Sequence, residues 1–149
     1  MLSKREQILL TGGNLWYFGE GLLGPLFAVF AEKIGGDVLE ITWAWAAYLV
    51  IGGFFTILFG KFSDTLISKE KMMVLGYAMN ALCSFSYLLV HNPFQLLLVQ
   101  VGLGLANALA TPTWEALYAR YEKKSEDGYS WGLAEGQAQL MLAVAAVIG

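Results

Sequence analysis

A carboxylic acid in the middle of a greasy run is the first residue able to do chemistry. Glu20 lies within "GGNLWYFGEGLLGPLF", residues 12–27, otherwise built from glycine, aromatic and aliphatic residues with one asparagine and one proline. Surrounded by hydrocarbon, an ionised acid costs on the order of 3 kcal/mol by insertion scales. A low dielectric favours the neutral form, so such a group can take up a proton and release it when water or a neighbouring charge approaches. Proton coupling or substrate binding is therefore the functional expectation for Glu20. The plainer one is a protonated or hydrogen-bonded acid satisfied by another helix. Trp16 and Tyr17 precede it on its own face, so aromatic walls can border it.

Neutral polar residues form two further sets. Gln100, Gly104, Asn107, Thr111 and Trp114 recur at steps of three and four, as do Gly76, Asn80, Ser84 and Tyr87. Each set falls on one face of a helix. Such faces must meet protein or water and not lipid, so they line a cavity or tie helices together. Tyr17, Asn80, Gln100, Asn107 and Thr111 join Glu20 as the expected substrate- or proton-handling residues.

A third set is charged and lies in "GKFSDTLISKEK", residues 60–71. Gly60 permits a close helix contact, and Asp64 follows one turn later on the same face. Asp64 can meet a cation or the positive end of a neighbouring helix dipole. Lys69 and Lys71 come next. Glu115, Arg120 and Glu135 belong to the same side of the chain. Ion pairing at the membrane surface is their expected role, and gating if they join Asp64 in the basic cluster. Glu135 is read as lying in the first turn of the last helix, where negative charge suits the dipole.

The elements that position these residues follow from composition. Of 149 residues, 57% are hydrophobic and only 14% charged, far below the quarter expected of a soluble domain. Crossing the hydrocarbon layer takes about 20 apolar residues as a helix. Four stretches suffice, at about 8–30, 41–59, 72–90 and 94–118. A fifth, at about 132–149, is still apolar where the sequence stops, which reads as a fragment of a longer chain. The predicted fold is an all-α integral membrane bundle of four transmembrane helices plus a partial fifth, in one domain over 1–149.

Short loops and charge set the orientation. Eight of the nine Lys and Arg fall on the side of the N-terminus, and Lys33 alone falls on the other. By the positive-inside rule the N-terminus is cytoplasmic, and the expected location is the cell inner or plasma membrane. Pro93 opens the fourth helix, and Pro112 should bend it by removing a backbone bond. One cysteine, Cys83, and one histidine, His91, make a disulfide framework or a His/Cys metal site a poor reading. Cofactors are not expected. Scattered basic residues argue against nucleic acid, and no nucleotide-binding Gly-x-x-x-x-Gly-Lys-[Ser/Thr] loop occurs.

The order of these features resembles the major facilitator superfamily. Gly60, Asp64 and Lys69 match the signature loop between its second and third helices, although Thr65 and Ile67 replace a usual basic residue and a usual glycine. "VGLGLANALATPTWEALYARYEKK" is similar to its small-residue fourth helix, and "GYSWGLAEG" to the loop entering the fifth, with Gly132 in place. A basic residue common early in the fourth helix is absent, and Gln100 is the nearest polar substitute. The resemblance implies the first helices of a twelve-helix secondary transporter working by alternating access, with proton coupling through Glu20. It implies as partners a small-molecule substrate, protons, the lipid bilayer and C-terminal helices of the same protein. A small helical membrane scaffold without transport activity is the alternative. An intramembrane enzyme is disfavoured, since no Ser/His, paired-Asp or His-rich constellation exists at membrane depth.

Overall fold

A computed structural model describes residues 2–65, 68–122, 124–125 and 127–149, without the side chains of residues 63–65. It contains α1 (Lys4–Leu23), α2 (Phe27–Lys33), α3 (Val38–Thr65), α4 (Lys69–Ser86), a 3-10 turn (Tyr87–Leu89), α5 (Pro93–Tyr121) and α6 (Asp127–Ile148). Among the described residues there is no strand. Four segments of the described residues are long and apolar enough to cross a membrane: Val38–Phe62, Lys69–Leu89, Pro93–Tyr121 and Asp127–Ile148.

The caps are written in the sequence. Ser3 and Glu6 form a capping box at α1: Glu6 N–H donates to Ser3 Oγ at 3.2 Å and Ser3 N–H to Glu6 Oε2 at 2.6 Å. Asp37 and Glu40 repeat the device at α3, at 2.8 and 3.1 Å. Each box satisfies two amides that the first helical turn leaves over. Ser68 caps α4 and Asn92 caps α5. Between α2 and α3 the chain reverses at Gly35, whose φ of +87° suits glycine. Gly36 N–H then donates back to Ala31 O at 2.9 Å, the Schellman closure of a helix end.

The first expected crossing, 8–30, is not one helix. Pro25 has no N–H for Gly21 O, and its ring opposes that carbonyl. α1 ends at Leu23, where Gly24 N–H still reaches Glu20 O at 2.8 Å, and α2 starts at Phe27. The other helices start earlier than expected, and the largest difference is α6, which begins at Asp127 rather than near 132. Glu135 is consequently the ninth residue of α6, not part of its first turn, and Gly132 is helical rather than in a loop. α5 runs unbroken through Pro112. Beside that proline the Thr113 hydroxyl donates to Leu109 O at 2.6 Å and Ala110 O at 2.9 Å, giving the weakened turn extra side-chain bonds.

The chain forms two compact units, residues 1–27 with 118–149, and residues 28–117. In the first, α1 and α6 run parallel in close contact. A methyl added at Gly21 would lie 2.7 Å from both Ala145 Cβ and Leu142 O, so no larger side chain fits this seam. In the second, α5 packs on both α3 and α4. A methyl at Gly104 would stand 2.7 Å from Tyr48 O of α3, and one at Gly76 of α4 would stand 2.8 Å from Ala106 O and Ala110 N. Backbones approach at these points because lipid tails do not drive helices together and van der Waals contact must. Leu96, Ala106, Ala108 and Leu117 of α5 are buried, while Phe54, Ile57, Leu82 and Leu88 on α3, α4 and the 3-10 turn are exposed. So large an apolar surface suits hydrocarbon rather than water.

Candidate functional site

Glu20 is the seventeenth residue of α1, one turn before the break, and is half-buried. Trp16 stands one turn earlier, and its indole Nε1–H donates to Glu20 Oε1 at 2.8 Å. That bond arises from i to i+4 spacing alone, so the sequence dictates it once the helix forms. The bond holds the carboxyl group in one rotamer. Tyr17, also half-buried, shares this stretch of α1.

One strong polar contact in this unit was not expected. Asn14 Nδ2 donates to Gln137 Oε1 at 3.0 Å, joining α1 to α6. Its signal was present: Asn14 precedes Gly21 by two helical turns, and Gln137 precedes Ala145 by about two. Both sit beside the small residues that let the helices meet. Glu6 was also missed. Only 2% exposed, it is named by the Ser-x-x-Glu capping pattern. At the same end Arg5 lies over the Tyr121 ring at 4.9 Å, and Tyr118 hydroxyl donates to Ser130 O at 2.7 Å.

The polar face of α5 divides. Gln100, 3% exposed, donates through Nε2 to the Tyr87 hydroxyl at 2.7 Å. Phe30 of α2 packs edge-on to the Tyr87 ring, with centroids 5.5 Å apart. Gln100 is therefore a tie between α5 and the turn after α4. Asn107 and Thr111 are half-buried, and the Thr111 hydroxyl donates to Asn107 Oδ1 at 2.7 Å. Asn80 is half-buried on α4.

The charged set is less assembled. Lys69 opens α4, half-buried, and Lys71 is exposed two residues on. Glu115 and Arg120 are exposed near the end of α5, and Glu135 is exposed in α6. A methyl at Gly60 would meet nothing within 4 Å, so none of the described helices packs closely against that position. The Asp64 side chain, Ile67 and Lys123 lie outside the described residues.

The chain is similar in sequence to known proteins. The proton-coupled antiporter flippase LtaA of Staphylococcus aureus, strain USA300, is 24% identical over 139 residues, 89% of this chain and 34% of that protein. An uncharacterized MFS-type transporter of Methanocaldococcus jannaschii is 24% identical over 131 residues, 88% of this chain and 34% of that protein. The chain thus spans about a third of the length of the curated relatives it matches. The sequence profile of one family accounts for residues 9–149, almost the whole length. A chain so matched, helical and without strands among its described residues, belongs to the Major Facilitator Superfamily.

Proposed function

We propose that this chain is the N-terminal part of a secondary active transporter that moves a small solute across a lipid bilayer by alternating access, the established mechanism of its superfamily. In this reading the N-terminus is cytoplasmic and further helices of the same protein complete the substrate cavity. Protons couple through Glu20. The observation that carries the proposal is the half-buried Glu20 carboxylate, held by the Trp16 indole within the glycine-, aromatic- and leucine-rich second half of α1. A carboxyl at that depth is costly to keep and is the group best suited to carry a proton between two aqueous sides. The printed name of the Staphylococcus relative, a proton-coupled antiporter, agrees with such a role.

The chemistry is simple. With the site open to water, Glu20 ionises and accepts from Trp16. With the site closed, the carboxyl crosses as the neutral acid, so that reorientation moves no uncompensated charge through hydrocarbon. Gly60, Asp64, Lys69, Lys71, Glu115, Arg120 and Glu135 are proposed to govern the cytoplasmic gate. The test is Glu20→Gln in the full-length protein, reconstituted in proteoliposomes with an imposed pH gradient. Glutamine mimics the neutral acid and cannot release a proton. Gradient-driven transport should fall at least about 100-fold, and any residual exchange should lose its pH dependence. Unchanged transport at every pH removes Glu20 from the mechanism.

A further inference from the structure

α6 presents three different faces. With successive residues about 100° apart around the axis, Ser130, Ala134, Ala138 and Ala145 fall together, and all four are buried. Ala145 marks this as the side of Gly21 and α1. The exposed remainder divides in two. Tyr129, Leu140, Val144 and Val147 form a bulky sector of the kind that hydrocarbon solvates. Beside it lie Gly128, Gly132, Glu135, Gly136, Gln139 and Ala143, all exposed. They fill an arc of about 100° that holds small and polar residues alone.

Two properties of this arc call for a cover. Glycine is a poor helix former. Close backbone contact explains it at Gly21, Gly76 and Gly104, whereas a methyl at Gly128, Gly132 or Gly136 would meet nothing within 4 Å. The room these three leave is unused by any described residue. The second property is depth. Asp127–Ile148 is long and apolar enough to cross a membrane. At 1.5 Å per residue Glu135 lies about 12 Å from its start, and Gln139 one turn deeper. Neither side chain has a bonding partner among the described residues. A carboxyl and an amide at that level cannot be left to lipid. A water-filled cavity would satisfy both and would give no reason for three glycines in line. A closely packed helix accounts for the glycines and the polar pair together.

Charge and length name the occupant. A carboxylate within a membrane is matched by a basic side chain. The chain spans about a third of its curated relatives, so a transporter of their length supplies further helices. We propose that the Gly128–Ala143 face of α6 seats a transmembrane helix from the rest of the same protein, and that this helix carries an arginine or lysine level with Glu135. The inference rests on the transport reading above. It makes Glu135 one side of an ion pair inside the membrane, with glycines alongside that let the two backbones approach.

The experiment uses the full-length protein in lipid nanodiscs, with p-benzoylphenylalanine placed at Gln139 or, about 100° away, at Leu140. After irradiation, mass spectrometry identifies what each probe has captured. Gln139 should capture a residue of the same chain outside residues 1–149, and Leu140 should capture lipid. The captured helix should hold an arginine or lysine within two turns of the captured residue. Glu135→Lys should lower the monodisperse yield at least fivefold. Exchanging that basic residue for glutamate in the same molecule should restore it, which a merely structural defect at Glu135 would not allow. Capture of lipid alone from Gln139, capture of a second copy or of a residue within 1–149, or a captured helix with no basic residue would each overturn the proposal. So would a harmless Glu135→Lys change, or a defect that the exchange leaves uncorrected. None of these readouts depends on transport. If they behave as expected while Glu20→Gln leaves gradient-driven transport intact, the proton assignment fails and this interface stands.

Discussion

The two compact units solve the same problem, polar groups inside apolar helices, by different means. In the unit of α1 and α6, a carboxylate accepts from an indole of its own helix, and a separate bond, Asn14 to Gln137, joins the two helices that meet closely at Gly21. In the unit of α2 to α5, every polar side chain near mid-helix is neutral; Thr111 to Asn107 and Thr113 to its own helix are local bonds, while Gln100 ties α5 to Tyr87 in the turn after α4. Charge is confined to where it can act. Elsewhere, amides and hydroxyls supply direction without the desolvation cost of an ion.

Substitutions can break that contrast. Apart from Glu20→Gln, the largest effect is expected from Gly104→Val. Its side chain would collide with the carbonyl of Tyr48, and backbone cannot yield as a flexible side chain can. Overpacking of this kind costs about 1–3 kcal/mol or more. The full-length protein should lose its monodisperse peak in size-exclusion chromatography in detergent, and a normal peak would show that α3 and α5 have slack. An intermediate effect is expected from Asn14→Leu, which removes the donor to Gln137. Bonds between membrane helices are worth about 0.6–2 kcal/mol, so the unfolding midpoint in detergent should fall by a few degrees. The Asn14→Leu, Gln137→Leu double variant should fall little further than either single change. Additive losses would mean that the two side chains act separately. The smallest effect belongs to Gly60→Ala. With open space around that position, stability should change by less than about 1 kcal/mol, in the favourable direction of helix propensity. A marked loss of stability would show that Gly60 makes the close contact assigned to it on sequence grounds.

Much of the helical plan was legible because membrane helices are specified by composition over about 20 residues, a signal that does not depend on distant contacts. α3, α4 and α5 needed only small changes at their ends, and Pro93 does open α5. The parallel course of α1 and α6 agrees with the alternation that the loop charges imply. Boundaries that depend on polar residues were harder. α6 begins at Asp127 because an acid is welcome in a first helical turn, whereas a hydropathy reading discards it. The division of the first crossing was in plain view at Gly24–Pro25, yet the apolar run on both sides outweighed one missing amide. In the candidate site, the bond from Trp16 to Glu20 follows from local spacing. Asn14 and Gln137 are 123 residues apart, and no local pattern joins them.

The break after α1 has a consequence for water. Without an amide at Pro25, Gly21 O has lost its helical donor, and Leu26 N–H turns to Leu23 O at 3.1 Å instead of Leu22 O. Two adjacent carbonyls are thereby left over within a segment otherwise suited to oil, and hydrocarbon offers them nothing. The turn that follows the acid is therefore held by fewer backbone bonds than an unbroken helix would have. The amides of Leu26 and Phe27 should accordingly exchange with deuterium well ahead of those in the middle of α5.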